Sequence, residues 1–300
     1  MTLRPRPLTT TPTQPQHPHH RENDFAEEHH IYEPHLVGLP PLIPYIREAW
    51  RRRPFAFELS RTRLRAQQFD TVFGQLWLVL NPLMLACVYF VLVDILRGGS
   101  SRPGFFAHLV VGVFAYHLVS DAVRQGTRSV VSGGRLILNS AFPRVLLPIG
   151  TTITAVTRFL PTMLIYIPLH LASGLPLTWT QLWVLPLTIL LVTMGAGLAM
   201  FVGALQIYFR DLKDFMPYLL RVWLFASPVL YYADQMPEKY EWFLYVNPLG
   251  ELLSAWSDVI NRGLAPTMEQ LAFASAWSFG LLIVGFLFFV SRERDFAVRL

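Results

Sequence analysis

Six stretches of this 300-residue chain are apolar enough to lie in a lipid bilayer, and that spacing limits the fold more than any other feature. They run Thr71–Leu96, Phe105–Val123, Val145–Ala172, Trp179–Tyr208, Phe215–Tyr232 and Leu271–Val290. A hydrocarbon core about 30 Å thick needs about 20 helical residues. Most of the stretches reach that length. The fifth has 18 residues and is interrupted by Pro217 and Pro228. In lipid, every backbone N–H and C=O must find a partner within the protein, so spans of this length are helices. The expected fold is an all-α integral membrane protein with six transmembrane helices.

Composition supports this. Hydrophobic residues make up 53% of the chain and charged ones 15%, against about 25% charged in soluble domains. The 23 prolines would break helices in water, but in a membrane neighbouring helices satisfy the groups a proline frees. The pI near 9.5 comes almost wholly from arginine, 23 Arg against 2 Lys. In so apolar a chain it points to membrane headgroups rather than nucleic acid. Cys87 is the single cysteine and rules out an internal disulfide. It reads as a small buried hydrophobe.

Three regions are expected. Residues 1–41, rich in Pro, Thr and His with no apolar core, read as a disordered cytoplasmic tail rather than a signal peptide. Residues 42–70 read as an amphipathic helix and a connector: Ile43, Ile46 and Trp50 share one face, with Arg47, Arg51, Arg52 and Arg53 beside it. Pro44 suits its first turn and Pro54 its end. Such a helix lies in the membrane interface, arginines at the headgroups. Residues 71–300 hold the spans. Of the basic residues, 19 fall in the termini and alternate loops and only four (Arg97, Arg102, Lys239, Arg262) in the opposite loops. The positive-inside rule then places both termini in the cytoplasm of a plasma-membrane protein. Between the fifth and sixth stretches, residues 233–268 are too apolar for a solvated loop. Leu249, Leu252, Leu253, Trp256, Val259 and Ile260 make a 3.6-period stripe, expected as short helices folded back into the outer leaflet and capped by Gly263.

Chemistry is scarce. There is no phosphate-binding glycine loop ending in Lys, no H-E-x-x-H, no C-x-x-C and no G-x-S-x-G. The six histidines of the tail are broken up by prolines, and no metal site or catalytic residue is expected. His108 and His117 lie on opposite faces of one helix. Arg158 and Arg221 sit inside apolar stretches, where a charge is costly. Either they contact an anionic substrate group or they snorkel to the interface. A membrane-bound glycosyl- or acyltransferase remains an alternative, with Asp70, Asp94 and Asp121 as lone acidic candidates.

The plan of spans and several short motifs resemble the permease subunits of type-2 ABC exporters, in the branch that moves polysaccharides and polyol phosphates, the Wzm-like proteins. The motifs are Gly134-Arg135-Leu136-Ile137 with Phe142-Pro143-Arg144, Tyr208-Phe209-Arg210-Asp211-Leu212-Lys213-Asp214, Ser227-Pro228-Val229-Leu230-Tyr231 and Asn247-Pro248. The likeness covers about residues 42–300. It implies a homodimer clasping two copies of a separate ATPase, which carries ATP and Mg, so that this chain needs no cofactor. The segment Ser129–Ala141 would be a coupling helix, with Gly134, Arg135, Leu136 and Ile137 at its centre. Arg210, Asp211, Lys213 and Asp214 would make a second contact. The cargo would be a polysaccharide on a polyprenyl diphosphate, most like the galactan of mycolic-acid bacteria. The substrate path would include Arg158, Arg221, Tyr231, Tyr232, Trp242 and Tyr245, whose rings can stack on sugars. An ABC exporter of drugs or small lipids is the other reading within this resemblance.

Overall fold

The computed structural model describes residues 41–68, 76–99, 102, 104–175 and 177–300. The expected tail up to residue 40 and residues 71–75 of the first apolar stretch lie outside them. The described chain is helical: α1 Leu42–Arg51, α2 Arg53–Gln68, α3 Trp77–Leu96, α4 Phe105–Ser132, α5 Gly134–Asn139, α6 Leu146–Ala172, α7 Val184–Tyr208, α8 Leu212–Ala226, α9 Trp242–Val246, α10 Gly250–Ser257, α11 Met268–Arg292 and α12 Phe296–Arg299. Among the described residues, five helical segments are long and apolar enough to cross a membrane: Trp77–Leu96, Phe105–Ser132, Leu146–Ala172, Trp179–Tyr208 and Met268–Arg299.

The centre is α4, buried along most of its length and packed by α3, α6, α7 and α8, with α11 against the far side of α7. Small residues permit this. A Cβ added to Gly126 of α4 would lie 2.5 Å from the Cβ of Ala199 on α7, and one added to Gly197 would lie 2.5 Å from the Leu281 carbonyl on α11. In a bilayer, where lipid tails are as apolar as the helices, such close packing supplies much of the adhesion. By contrast α3 is peripheral and buries only Val79, Pro82 and Ala86. Cys87 is therefore exposed rather than buried, because it lies one residue past the contact face.

The connector after α1 is a second helix. Pro54 does not end α1, which stops at Arg51. It occupies the second position of α2 instead, where a missing N–H costs nothing. α2 packs along α6: the Thr154 hydroxyl donates to Ser60 at 3.0 Å.

The fifth stretch differs most from expectation. α8 has 15 residues, about 22 Å at 1.5 Å each, and stops at Ala226. Ser227 precedes a proline and is extended (φ −103°, ψ 152°), as the proline ring requires. The chain continues without helix through Tyr232. It nonetheless runs antiparallel to α4. The Tyr116 hydroxyl donates to the Leu220 carbonyl, a Cβ on Gly112 would lie 3.3 Å from Val229, and the Tyr232 ring lies tilted against His108, centroids 4.0 Å apart. Asn247 holds the broken end. Its Oδ1 accepts from Trp223 Nε1 (2.8 Å) and its Nδ2 donates to the Ala226 carbonyl (2.9 Å). The orphan groups of a helix terminus are thus met by the Asn-Pro motif.

α10 is buried on every side, not on one stripe. A π-helical turn follows at Asp258–Arg262 and ends at Gly263, whose φ of +65° suits glycine. α11 opens with Thr267 and Gln270 in a reciprocal capping pair.

Candidate transport site

Between α3, α4 and α6 lies a cavity of about 400 Å³ with a charged wall. Asp121 and Arg124 are three residues apart on α4 and so share a face. Their ion pair is 2.6 Å, and the second Asp121 oxygen accepts from Arg158 of α6 at 3.4 Å. Trp77, Asn81, His117 and Phe159 complete the wall. Two guanidiniums on one carboxylate leave the site net positive. Arg158 is mostly buried, so its charge is tolerable here because Asp121 answers it. On the other side of Asp121 and Arg124, a second cavity of about 230 Å³ is lined by Tyr89, Tyr116, Pro217 and Arg221. Helix packing therefore brings Arg158 and Arg221, 63 residues apart, to flank one Asp121–Arg124 pair. In the sequence Asp121 reads as a lone acid. The i, i+3 spacing to Arg124 was the available signal for its real setting.

At the opposite end of α4, Asp234 accepts from Arg102 (3.1 Å) and Arg262 (2.8 Å). Partial burial works against ionisation, but these hydrogen bonds and charges hold the Asp234 carboxyl below its ordinary range. Both guanidiniums also lie over the Tyr232 ring, at 5.6 and 5.2 Å. Tyr232 is thus a buried part of this cluster. Tyr231 and Trp242 line a different, mostly apolar cavity of about 480 Å³ with Arg97 and Phe243. Tyr245 lies against α11, its ring 4.9 Å from Phe273 and its carbonyl accepting from Trp277. The four aromatics do not share one wall.

The third locus is at the Ser132 end of α4. α5 follows directly, with Arg135 and Leu136 exposed and Ile137 buried. A Cβ on Gly134 would touch Leu300 at 3.7 Å, and Arg210 donates to the Arg299 carbonyl at 3.2 Å. Asp211, Lys213 and Asp214 are exposed beside it. The two segments expected to meet a partner thus join through the C-terminal helix α12, which carried no signal of its own in the sequence. Here Tyr208 donates to Asp295 at 2.5 Å and lies beneath Arg292 and Arg299. Glu293 accepts from Tyr45 (2.5 Å) and from the Arg144 backbone (2.8 Å), tying α1, α6 and α11 at one point. Burial, with the Glu293 charge, pushes the Tyr45 phenol well above its usual value. Of the expected interface residues, Arg47, Trp50 and Arg51 are exposed. Arg52 is exposed too, but is held by Glu48 (2.5 Å) and the Ala141 carbonyl (2.6 Å).

A helical bundle with apolar spans, a charged cavity between them and an exposed loop surface at one end defines a multi-pass membrane protein. Residues 57–261 match the model of the ABC-2 type transporter family, and the chain belongs to that family. The family implies an ABC ATPase partner. Two similar proteins are named O-antigen export system permease protein RfbA. The one from Klebsiella pneumoniae is 25% identical over 80% of this chain and 92% of its own length. The one from Myxococcus xanthus is 27% identical over 85% and 99%. The chain is thus a type-2 ABC transporter subunit similar to these export permeases.

Proposed function

We propose that this permease exports a polysaccharide joined to a polyprenyl diphosphate, a galactan being the first candidate, from the cytoplasm to the outer face of the plasma membrane. The observation that carries this reading is the net-positive cluster of Asp121, Arg124 and Arg158, flanked by Arg221, between apolar spans. A diphosphate is the anion such a cluster suits, since guanidinium forks bind phosphate oxygens in pairs. Asp121 holds the arginines in place until a phosphate replaces it as their partner. Tyr231 and Trp242 offer rings to sugars at the far end, where stacking grips a glycan without fixing one linkage.

The chain crosses the membrane six times in this reading. α8 and the extended Ser227–Tyr232 together make the fifth crossing, supported by their antiparallel course along α4. Both termini are then cytoplasmic. Two copies form a homodimer that clasps two ATPase subunits, which supply ATP and Mg; this chain needs no cofactor of its own. α5 and Arg210–Asp214 form the coupling surface through which motor closure biases the conduit.

The test uses the permease–ATPase complex in vesicles. Lipid-linked glycan should stimulate ATP hydrolysis in the wild type. Arg158→Gln should lose most of that stimulation while keeping basal hydrolysis and assembly. Stimulation that is unchanged in both Arg158→Gln and Arg221→Gln would remove the cluster from cargo recognition.

A further inference from the structure

A groove of about 600 Å³ lies where the α1–α2 bend meets the Leu146 end of α6 and the Arg292 end of α11. Its walls include Ile46, Ala49 and Phe57 on one side and Ile149, Ile153 and Phe286 on the other. Ile46, Trp50 and Phe57 are more than half exposed there, which is costly in water. Among the lining residues Arg53 alone is charged. Its guanidinium sits 4.6 Å above the Trp50 ring at the groove's edge. The bend that forms the groove is fixed, because Arg52 bonds to Glu48 and to the Ala141 carbonyl.

We infer that this groove is a binding site for one anionic phospholipid of the surrounding bilayer. An acyl chain fills the apolar trough and the headgroup phosphate sits on Arg53. Three observations support this occupant. Two walls belong to membrane-spanning helices, so lipid reaches the groove. The lining holds apolar side chains and one cation, the complement of an acyl chain below a phosphate. The neighbouring exposed residues, Arg47 and Arg51, add positive charge. This lipid is a bound component of the permease, independent of the cargo. It would brace α1 against the ends of α6 and α11, the same junction held by Glu293, Tyr45 and Arg144.

Trp50 provides the readout. The complex is placed in phosphatidylcholine vesicles containing a minor fraction of either brominated phosphatidylglycerol or brominated phosphatidylcholine. Bromine quenches tryptophan only at short range, and Trp50→Phe isolates the Trp50 signal. One interfacial arginine contributes about 1 kcal/mol toward an anionic lipid, about a fivefold preference. Trp50 should therefore be quenched at a roughly fivefold lower fraction of phosphatidylglycerol than of phosphatidylcholine. Arg53→Gln should abolish the difference and Arg53→Lys should retain most of it. Ala49→Phe, which fills the trough, should reduce quenching by both lipids. Equal quenching by the two lipids in the wild type overturns the site. So does a preference that survives Arg53→Gln, which would assign it to general surface charge.

Discussion

Replacing Gly285 by alanine tests whether α7 and α11 are held by direct backbone contact. A Cβ at Gly285 would lie 2.0 Å from the carbonyl oxygen of Gly197, 2.8 Å from its carbonyl carbon and 3.1 Å from its Cα. All three atoms are helical backbone, so no rotamer change relieves the overlap. A carbon needs about 3.5 Å from such a neighbour, so the helices must part by roughly 1.5 Å. A gap of even ~1 Å forfeits up to half of each contact's dispersion energy. In a bilayer no hydrophobic gain compensates, because packing itself is the adhesion. The expected cost lies toward the upper part of the usual 1–3 kcal/mol for overpacking. The assay is unfolding of the reconstituted permease in mixed micelles, followed by circular dichroism. Gly280→Ala on the same helix is the control, since its Cβ would meet nothing within 4 Å. That change should be neutral or stabilise by up to about 1 kcal/mol through helix propensity. If Gly285→Ala unfolds alongside Gly280→Ala, the close approach of α7 and α11 is wrong.

Three further outcomes follow from the other loci. Because Asp234 is held below its ordinary value of 3.8, its ion pairs contribute stability above that pH and lose it as pH falls through the lower folded value. The difference in thermal midpoint between wild type and Asp234→Asn should stay constant from neutral to mildly acid pH and shrink only below 3.8; a difference that vanishes well above that value refutes the pairing. Arg135→Glu with Leu136→Gln should lower the ATPase activity of the complex by several-fold and leave the permease assembled, and undiminished activity would remove α5 from the motor contact. Single cysteines at Lys213 and Lys239, which flank the fifth crossing, in a Cys87→Ser background because Cys87 is exposed, should react with an impermeant thiol reagent from opposite sides of the membrane. Reaction from the same side would undo the six-crossing reading.

Sequence alone was enough for the all-helical membrane class, because apolar length and the need to satisfy backbone groups within lipid are local properties of the chain. α4 and α11 include the stretches marked out by hydropathy and α6 and α7 fall within theirs, though α4 runs nine residues further, to Ser132. Gly263 announced the cap that ends its short helix. Local rules were weaker at breaks. Pro54 reads equally as the end of one helix or the start of another, and only the packing of α2 on α6 decides between them. Pro228 marks a break without telling where the chain goes next; that depends on Asn247, 21 residues from the Ala226 carbonyl it satisfies. The charged site was the least legible. Arg158 is an isolated cation in sequence, and its partner Asp121 lies 37 residues away on another helix. Charge pairing between helices depends on which faces meet, and that is set by the glycine and alanine contacts of the whole bundle. The sequence by itself determined that this chain lies in a membrane and which segments are helical; only the tertiary structure decided which charges share a cavity, since that follows from helix faces brought together across the fold.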